Sequence, residues 1–177
     1  MYRVTSCLIL AILVCLLLSC AMFAQDGAPT ATATCNFNED QQLVIQYQPV
    51  TITLKKSLSD QVPFGKPWAP GGKPMTLFTN TPIQLASTTL PIGAYTMFVV
   101  PDSKQWTLIV SKSTDMSGKY DPNQDLVRVA MESGELPTPE ASLTASLGHI
   151  AASQCNLRID LAKQGHFTEF KQRPKED

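Results

Sequence analysis

The chain has 177 residues, with 14 basic and 15 acidic side chains and a formal net charge of −1. This near-neutral balance argues against a nucleic-acid-binding protein, which needs a basic surface to neutralise phosphates. Apart from an amino-terminal leader, about 150 residues remain, which is the size of one ordinary domain with its own core.

The amino terminus has the pattern of a secretory signal peptide. An uncharged apolar run from Cys7 to Leu18 follows Arg3, and a stretch of small and polar residues ends near Ala24. The run is shorter than the roughly 20 residues that a membrane-spanning helix needs. We therefore predict a signal peptide over residues 1–24 and an exported protein, located in the periplasm or outside the cell.

The position at which the leader is cut is open. Ser19-Cys20-Ala21 and Met22-Phe23-Ala24 both end in Ala, as signal peptidase sites do. Residues 17–20, Leu-Leu-Ser-Cys, also resemble a bacterial lipobox, in which Cys20 would carry lipid and anchor the protein to a membrane. Alternatively, Cys20 is one more small residue in a leader that contains two other cysteines. No other contact with a membrane is predicted.

The remaining cysteines predict one disulfide. Every cleavage considered leaves Cys35 and Cys155 as the two internal cysteines of the exported part. Two thiols in an oxidising compartment usually pair, so we expect a Cys35–Cys155 bond. The alternative is two buried free thiols.

Residues 25–34 are small and polar and predict a flexible tether, whereas residues 171–177 are charged and predict a frayed tail. Between them, residues 35–170 form the predicted domain. Short β-branched or aromatic runs separated by turn residues predict eight or nine strands there. The runs are residues 43–47, 50–54, 75–78, 83–86, 95–100, 106–110, 126–131, 143–150 and 155–161.

The clearest hairpin joins Thr96–Val100 to Gln105–Val110 through Pro-Asp-Ser-Lys. No stretch of helical period is long enough to cover a sheet. The sequence therefore predicts a mostly β fold with little helix: a single-domain antiparallel β-sandwich or flattened barrel, closed by one disulfide.

The segment from Pro63 to Pro74 is too rich in Pro and Gly for a helix or a strand, so it predicts a long loop. Its side chains are the best candidates for a ligand site, because they combine aromatic surface, positive charge and close backbone approach. These candidates are Phe64, Lys66, Trp68, Gly71, Gly72 and Lys73. The alternative interpretation is a strand connection pinned by the packing of Trp68.

A series of sequence blocks runs through this region. The blocks are Pro63-Phe64-Gly65-Lys66-x-Trp68, Leu90-Pro91-x-Gly93-x-Tyr95-Thr96-x-Phe98, Trp106-Thr107-Leu108-Ile109 and Tyr120-Asp121-Pro122-x-x-Asp125-Leu126-Val127-Arg128-Val129. In this order they resemble the bacterial domain-of-unknown-function family 2911, closely over residues 63–130 and more weakly to residue 161. The resemblance implies an exported bacterial protein with a β-rich domain and no established activity.

The chain departs from that family after Trp68. Many members continue with Arg and then Gly-Ala-Asn-Glu-Ala-Thr, a polar set that could bind a ligand. Here the polar positions hold Ala69, Lys73 and Pro74. The resemblance therefore transfers no site residue to this part of the chain.

Other chemical sites find little support. The oxygen-bearing side chains of residues 121–132 have a spacing similar to that of the ligands in a calcium loop. Leu126 occupies the position at which such a loop needs Gly, so we predict an Asp-Pro turn instead. His149 and His166 are too few for a multi-histidine metal site. We predict no metal and no cofactor.

The leading hypothesis is a non-enzymatic envelope protein that binds a small molecule, a glycan or an envelope protein through the 63–74 loop. The alternative is an envelope-directed hydrolase with paired carboxylates such as Asp102, Asp121 or Glu132. A purely structural domain is the third hypothesis.

Overall fold

The computed structural model describes residues 29–173. The predicted signal peptide, the lipobox with Cys20, residues 25–28 of the predicted tether and residues 174–177 of the predicted tail lie outside the described residues.

Within the described range the chain forms ten strands in two antiparallel sheets. The strands are β1 (Ala31–Asn36), β2 (Gln42–Tyr47), β3 (Met75–Thr79), β4 (Ile83–Leu85), β5 (Thr88–Leu90), β6 (Gly93–Val100), β7 (Thr107–Ser111), β8 (Asp125–Ala130), β9 (Glu132–Ala151) and β10 (Gln154–Gln172). The large sheet has the order β1-β2-β3-β6-β7-β8 and the small sheet the order β5-β4-β10-β9. The prediction of an antiparallel sandwich is confirmed, and the two sheets do not close into a barrel.

Period-two alternation explains why the two sheets stack. In β2, Leu43, Ile45 and Tyr47 are buried, and the residues between them are more exposed. β10 does the same on the opposite sheet with Leu157 and Ile159. Because successive side chains of a strand point to opposite faces, each sheet presents one apolar face, and the two faces form one shared core.

The small sheet is dominated by the long hairpin of β9 and β10. Its ladder is regular from Cys155 to Asp160 and then breaks, because Ala162 pairs with Glu140 but Gln164 pairs with Glu135. Residues 136–139 of β9 therefore bulge opposite a single residue of β10. Ala162, inside this break, has a φ of 57°, which is rare for a residue with a side chain.

The predicted disulfide is confirmed. Cys35 of β1 and Cys155 of β10 are bonded, with 6.2 Å between their Cα atoms. β1 is an edge strand of the large sheet and β10 lies inside the small one. The bond therefore joins the two layers of the sandwich near the tip of the long hairpin.

Two predicted boundaries were wrong. Residues Ala31–Asn36 form β1 rather than the end of a tether, because Ala33 and Cys35 face the core and the backbone pairs with β2. The tail prediction fails at residues 171 and 172, which still belong to β10.

The predicted strand over residues 50–54 was also wrong. The segment makes one bridge, between Thr51 and Ser142. Ile52 is buried but Leu54 is 49% exposed. The segment runs from the large sheet to β9. Its pairing with β9 ends before Lys55 and Lys56, which are exposed.

Helix is limited to three 3₁₀ turns in the described range, at Leu58–Asp60, Pro70–Gly72 and Pro122–Gln124. None of the helices there is long and apolar enough to cross a membrane.

Replacing Cys35 and Cys155 together by Ser should lower the free energy of unfolding by about 5 kcal/mol. The bond closes a sequence separation of 120 residues, and the chain-entropy model gives this loss for a loop of that length. Urea unfolding followed by tryptophan fluorescence measures it. Reduction of the wild-type protein is the matched control and should give a similar loss. A loss below about 1 kcal/mol in both would contradict a bond that holds the layers together.

Candidate functional site

A surface groove of about 570 Å³ opens where the long hairpin breaks. We call it the Phe64 groove. Four segments line it: residues 52–64, residues 102 and 103 of the β6–β7 turn, residues 135–139 of β9 and residues 161–164 of β10. Its volume lies within the range of small-molecule sites, about 300–1,000 Å³.

The apolar part of the Phe64 groove comes mainly from the first segment. Its lining includes Ile52, Leu54, Leu58, Phe64, Pro139 and Leu161. Ile52 and Leu161 belong to the core, Leu58 and Phe64 are half-buried against it, and Leu54 is exposed. The groove therefore continues the core to the surface rather than being a separate cavity.

The first segment forms the apolar wall of the groove, and the side-chain amide of Gln61 holds it in place. The side chain of Gln61 accepts from the Thr53 N–H at 2.7 Å and donates to the Thr53 carbonyl at 3.0 Å. It also donates to the carbonyl of Ser57 at 3.2 Å. These bonds replace the ladder that residues 53–61 lack, so the wall has a defined shape without being a strand.

Four charged side chains line the Phe64 groove, and each comes from a different segment. Lys56 lies on the first wall, Asp102 on the β6–β7 turn, Glu135 on β9 and Lys163 on β10. All four are exposed. The groove thus combines an apolar floor with charges of both signs.

The six residues predicted for a ligand site do not converge. Phe64 lines the groove, and Lys66 is exposed on the loop that follows. Lys73 lines a different, smaller depression beside Tyr47 and Met116. The ligand-binding role predicted for the set stays a prediction, and Phe64 is the member that meets the groove.

Gly71 and Gly72 have conformational and packing roles in that loop. Their φ angles are 74° and 82°, which favour glycine. A Cβ on Gly71 would lie 2.7 Å from the side chain of Gln48. The carbonyl of Gly72 in turn approaches Gly118, where a Cβ would lie 2.4 Å from it.

Trp68 packs on the core, as the alternative interpretation of the loop expected. Its backbone exchanges two hydrogen bonds with Val99, and its ring meets that of Trp106 edge to face, with 6.4 Å between the centroids. Trp106 is fully buried and stacks on His166 at 4.2 Å. A line of three rings therefore runs from the loop into the interior.

His166 is a fully buried titratable residue. Its Nδ1 lies 2.9 Å from the hydroxyl of Ser133, and its Nε2 has no partner among the described residues. Burial lowers the pKa of His166 to about 4, against a smaller opposing effect of Asp160. His166 is thus neutral near pH 7.

The carboxylates named for a hydrolase lie at three separate places. Asp102 lines the Phe64 groove, whereas Glu132 lines a second cleft beside β8 and β10. Asp121 begins the 3₁₀ turn before β8, where its Oδ1 accepts from the Asn123 N–H at 2.9 Å. This turn is the predicted Asp-Pro turn. Glu135, which lines the groove together with Asp102, was missed because its place depends on the β9 bulge.

Tyr120, at the start of the Tyr-Asp-Pro block, forms a hydrogen-bonded cluster with Asp125 and Arg128 of β8. The Tyr120 hydroxyl donates to Asp125 at 2.6 Å, and Arg128 donates to the same carboxylate oxygen at 2.8 Å and to the Tyr120 hydroxyl. Burial and the bond to Asp125 raise the pKa of Tyr120. The Tyr120 ring packs edge to face against Phe98, with 5.3 Å between the ring centroids. The loop before β8 therefore packs on the outer face of the large sheet.

Among residues 29–173, no group of three or more His, Cys, Asp or Glu side chains is arranged to hold a metal ion.

The fold and the groove define a class: a disulfide-linked antiparallel β-sandwich with an open groove at the break of its longest hairpin. The family model described as Protein of unknown function (DUF2911) matches residues 28–165, and the chain belongs to this family. No match was found among curated proteins or among solved structures.

The protein should lose stability as the pH falls from 6.5 to 4, in part because of His166. The unfolded histidine titrates near 6.5 and the folded one near 4, so the unfolded chain takes up a proton across this window. The stabilisation is complete above pH 6.5 and is lost toward pH 4. Urea unfolding of His166→Phe, which keeps an aromatic ring on Trp106, should show a smaller pH dependence.

The control is His149→Gln, since His149 is exposed on β9 and its replacement should keep the wild-type dependence. An unchanged pH dependence in His166→Phe would contradict a buried neutral histidine.

Proposed function

We propose that this chain is an exported, non-enzymatic binding protein whose ligand lies in the Phe64 groove. The observation that carries the proposal is the groove itself, in which core apolar surface reaches solvent beside charges of both signs. Sites for small molecules have this composition, with a mostly apolar lining and a few polar groups that fix orientation. A small molecule is therefore favoured over a glycan or a protein partner.

The backbone at the groove supports this proposal. Ala162 lines the groove and has a positive φ inside a strand. The other described non-glycine residue with positive φ, Ala86, lies in the tight turn between β4 and β5, where that conformation is common. Strained backbone costs of order 1–3 kcal/mol per residue and tends to cluster at functional sites.

Export is supported by two observations. The sequence of residues 1–24 has the composition of a signal peptide, and the Cys35–Cys155 bond is of the kind that persists in oxidising compartments. The protein would then act in the periplasm or outside the cell, with a membrane anchor only if Cys20 is acylated.

The mass of the mature amino terminus tests export. In protein isolated from cells, mass spectrometry should find the chain cut after Ala21 or Ala24, or beginning at a lipid-modified Cys20. An intact Met1 on the mature, folded protein would contradict export.

An enzyme is less well supported, because the carboxylates named for it do not share a site. Asp121 and Glu132 belong to other parts of the surface than Asp102. Asp102 does share the groove with Glu135, but both side chains are exposed to solvent.

The groove can be tested with an apolar anionic dye, 1-anilinonaphthalene-8-sulfonate. Leu54 is 49% exposed and lines the groove, whereas Ile92 is 57% exposed and does not. Leu54→Asp should lower the affinity for the dye at least about tenfold, because it puts a charge on the apolar wall. Ile92→Asp, the matched control, should leave the affinity unchanged.

Both side chains are exposed, so both variants should fold, and circular dichroism checks this. Equal effects of the two substitutions, or no effect of either, would show that the dye binds scattered surface residues and would contradict a binding site in the groove.

A further inference from the structure

We propose that the Phe64 groove binds a short peptide with free termini and apolar side chains. The inference rests on the proposed function and specifies the chemistry of the ligand. Three properties of the lining carry it: the signs of its charges, its apolar floor and the backbone groups of the β9 bulge.

The charges favour a ligand that is itself a zwitterion. Lys56 and Lys163 supply two cations, and Asp102 and Glu135 supply two anions. The ion pairs of the described residues lie elsewhere, so these four charges are not neutralised by one another. A ligand with a single charge would find partners of one sign and repulsion from the other. A ligand with an ammonium and a carboxylate finds a partner for each.

The apolar floor distinguishes a peptide from a free polar amino acid. Leu54, Leu58 and Phe64 give the groove that carries these charges an aliphatic and aromatic lining. Burial of apolar side chains there would provide most of the affinity, at about 25 cal/mol per Å² of apolar surface removed from water. The charges then fix the direction of the ligand and add to its affinity through the contacts with its two termini.

The β9 bulge supports a ligand with N–H donors. Residues 136–139 have no partner in the β9–β10 ladder, and Pro139 lines the groove. Each of the four residues has a carbonyl, but Pro137 and Pro139 have no N–H, so this segment, which reaches the groove at Pro139, has more backbone acceptors than donors. An ammonium and a peptide N–H match this excess, whereas the hydrocarbon chain of a fatty acid does not.

Isothermal titration calorimetry of the full mature protein with leucyl-leucine tests the proposal. N-acetyl-leucyl-leucine and leucyl-leucinamide each lack one charged terminus and should bind at least about tenfold more weakly, because one charge-assisted contact is lost. Octanoate, with an apolar chain and only a negative charge, should also bind more weakly.

Paired variants assign each terminus. Lys56→Gln with Lys163→Gln should abolish the advantage of the free carboxylate, and Asp102→Asn with Glu135→Gln should abolish that of the free amine. Lys112→Gln and Glu39→Gln are the controls, since both side chains are exposed and neither lines the groove. They should change nothing.

Equal affinity for leucyl-leucine and its two capped forms would overturn the proposal, and so would tighter binding of octanoate or no binding of leucyl-leucine at millimolar concentration. These outcomes are separable from a failure of the groove itself, because dye binding in Leu54→Asp and Ile92→Asp reports on the groove without any peptide. The proposal fails alone if the dye result holds and the peptide result does not.

Discussion

The bond between Cys35 and Cys155 is the constraint on which the arrangement of the two sheets depends. It joins the edge strand β1 to β10 close to the turn of the β9–β10 hairpin. This hairpin is the longest element of the described structure. With the half near the turn fixed and packed into the core, the ladder can break further along without loss of the fold. The Phe64 groove lies at this break. The same hairpin therefore has a regular half that packs into the core and an irregular part that forms the surface of the groove.

Much of the fold follows from side-chain alternation, and the failures have physical reasons. The β6–β7 hairpin was predictable because β-branched runs flank a short Pro-Asp turn. β1 was missed because its Ala and Thr residues are small, although they alternate between core and solvent. Residues 50–54 also alternate, but they find a pairing partner only at Ser142. Alternation thus predicts which side chains face the core, whereas strand pairing depends on neighbours that are distant in sequence.

The candidate site was only partly predictable for the same reason. Phe64 was visible as an aromatic residue in a Pro-rich and Gly-rich loop, and it does line the groove. Glu135 and Lys163 carried no signal, because their common place in the groove depends on the register shift near Ala162. Trp68, the most conspicuous residue of the loop, packs on the core instead. A large aromatic residue in an irregular segment is thus often an anchor for the segment, and the residues around it form the open surface.

We propose that ligand binds at the break of the hairpin and not on the Gly-rich part of the loop. Amide chemical shifts of the ¹⁵N-labelled protein, followed during titration with leucyl-leucine, test this most directly. The largest changes should fall in residues 52–59, 102–103 and 161–164. Changes centred on residues 70–73, or spread without a focus, would contradict it.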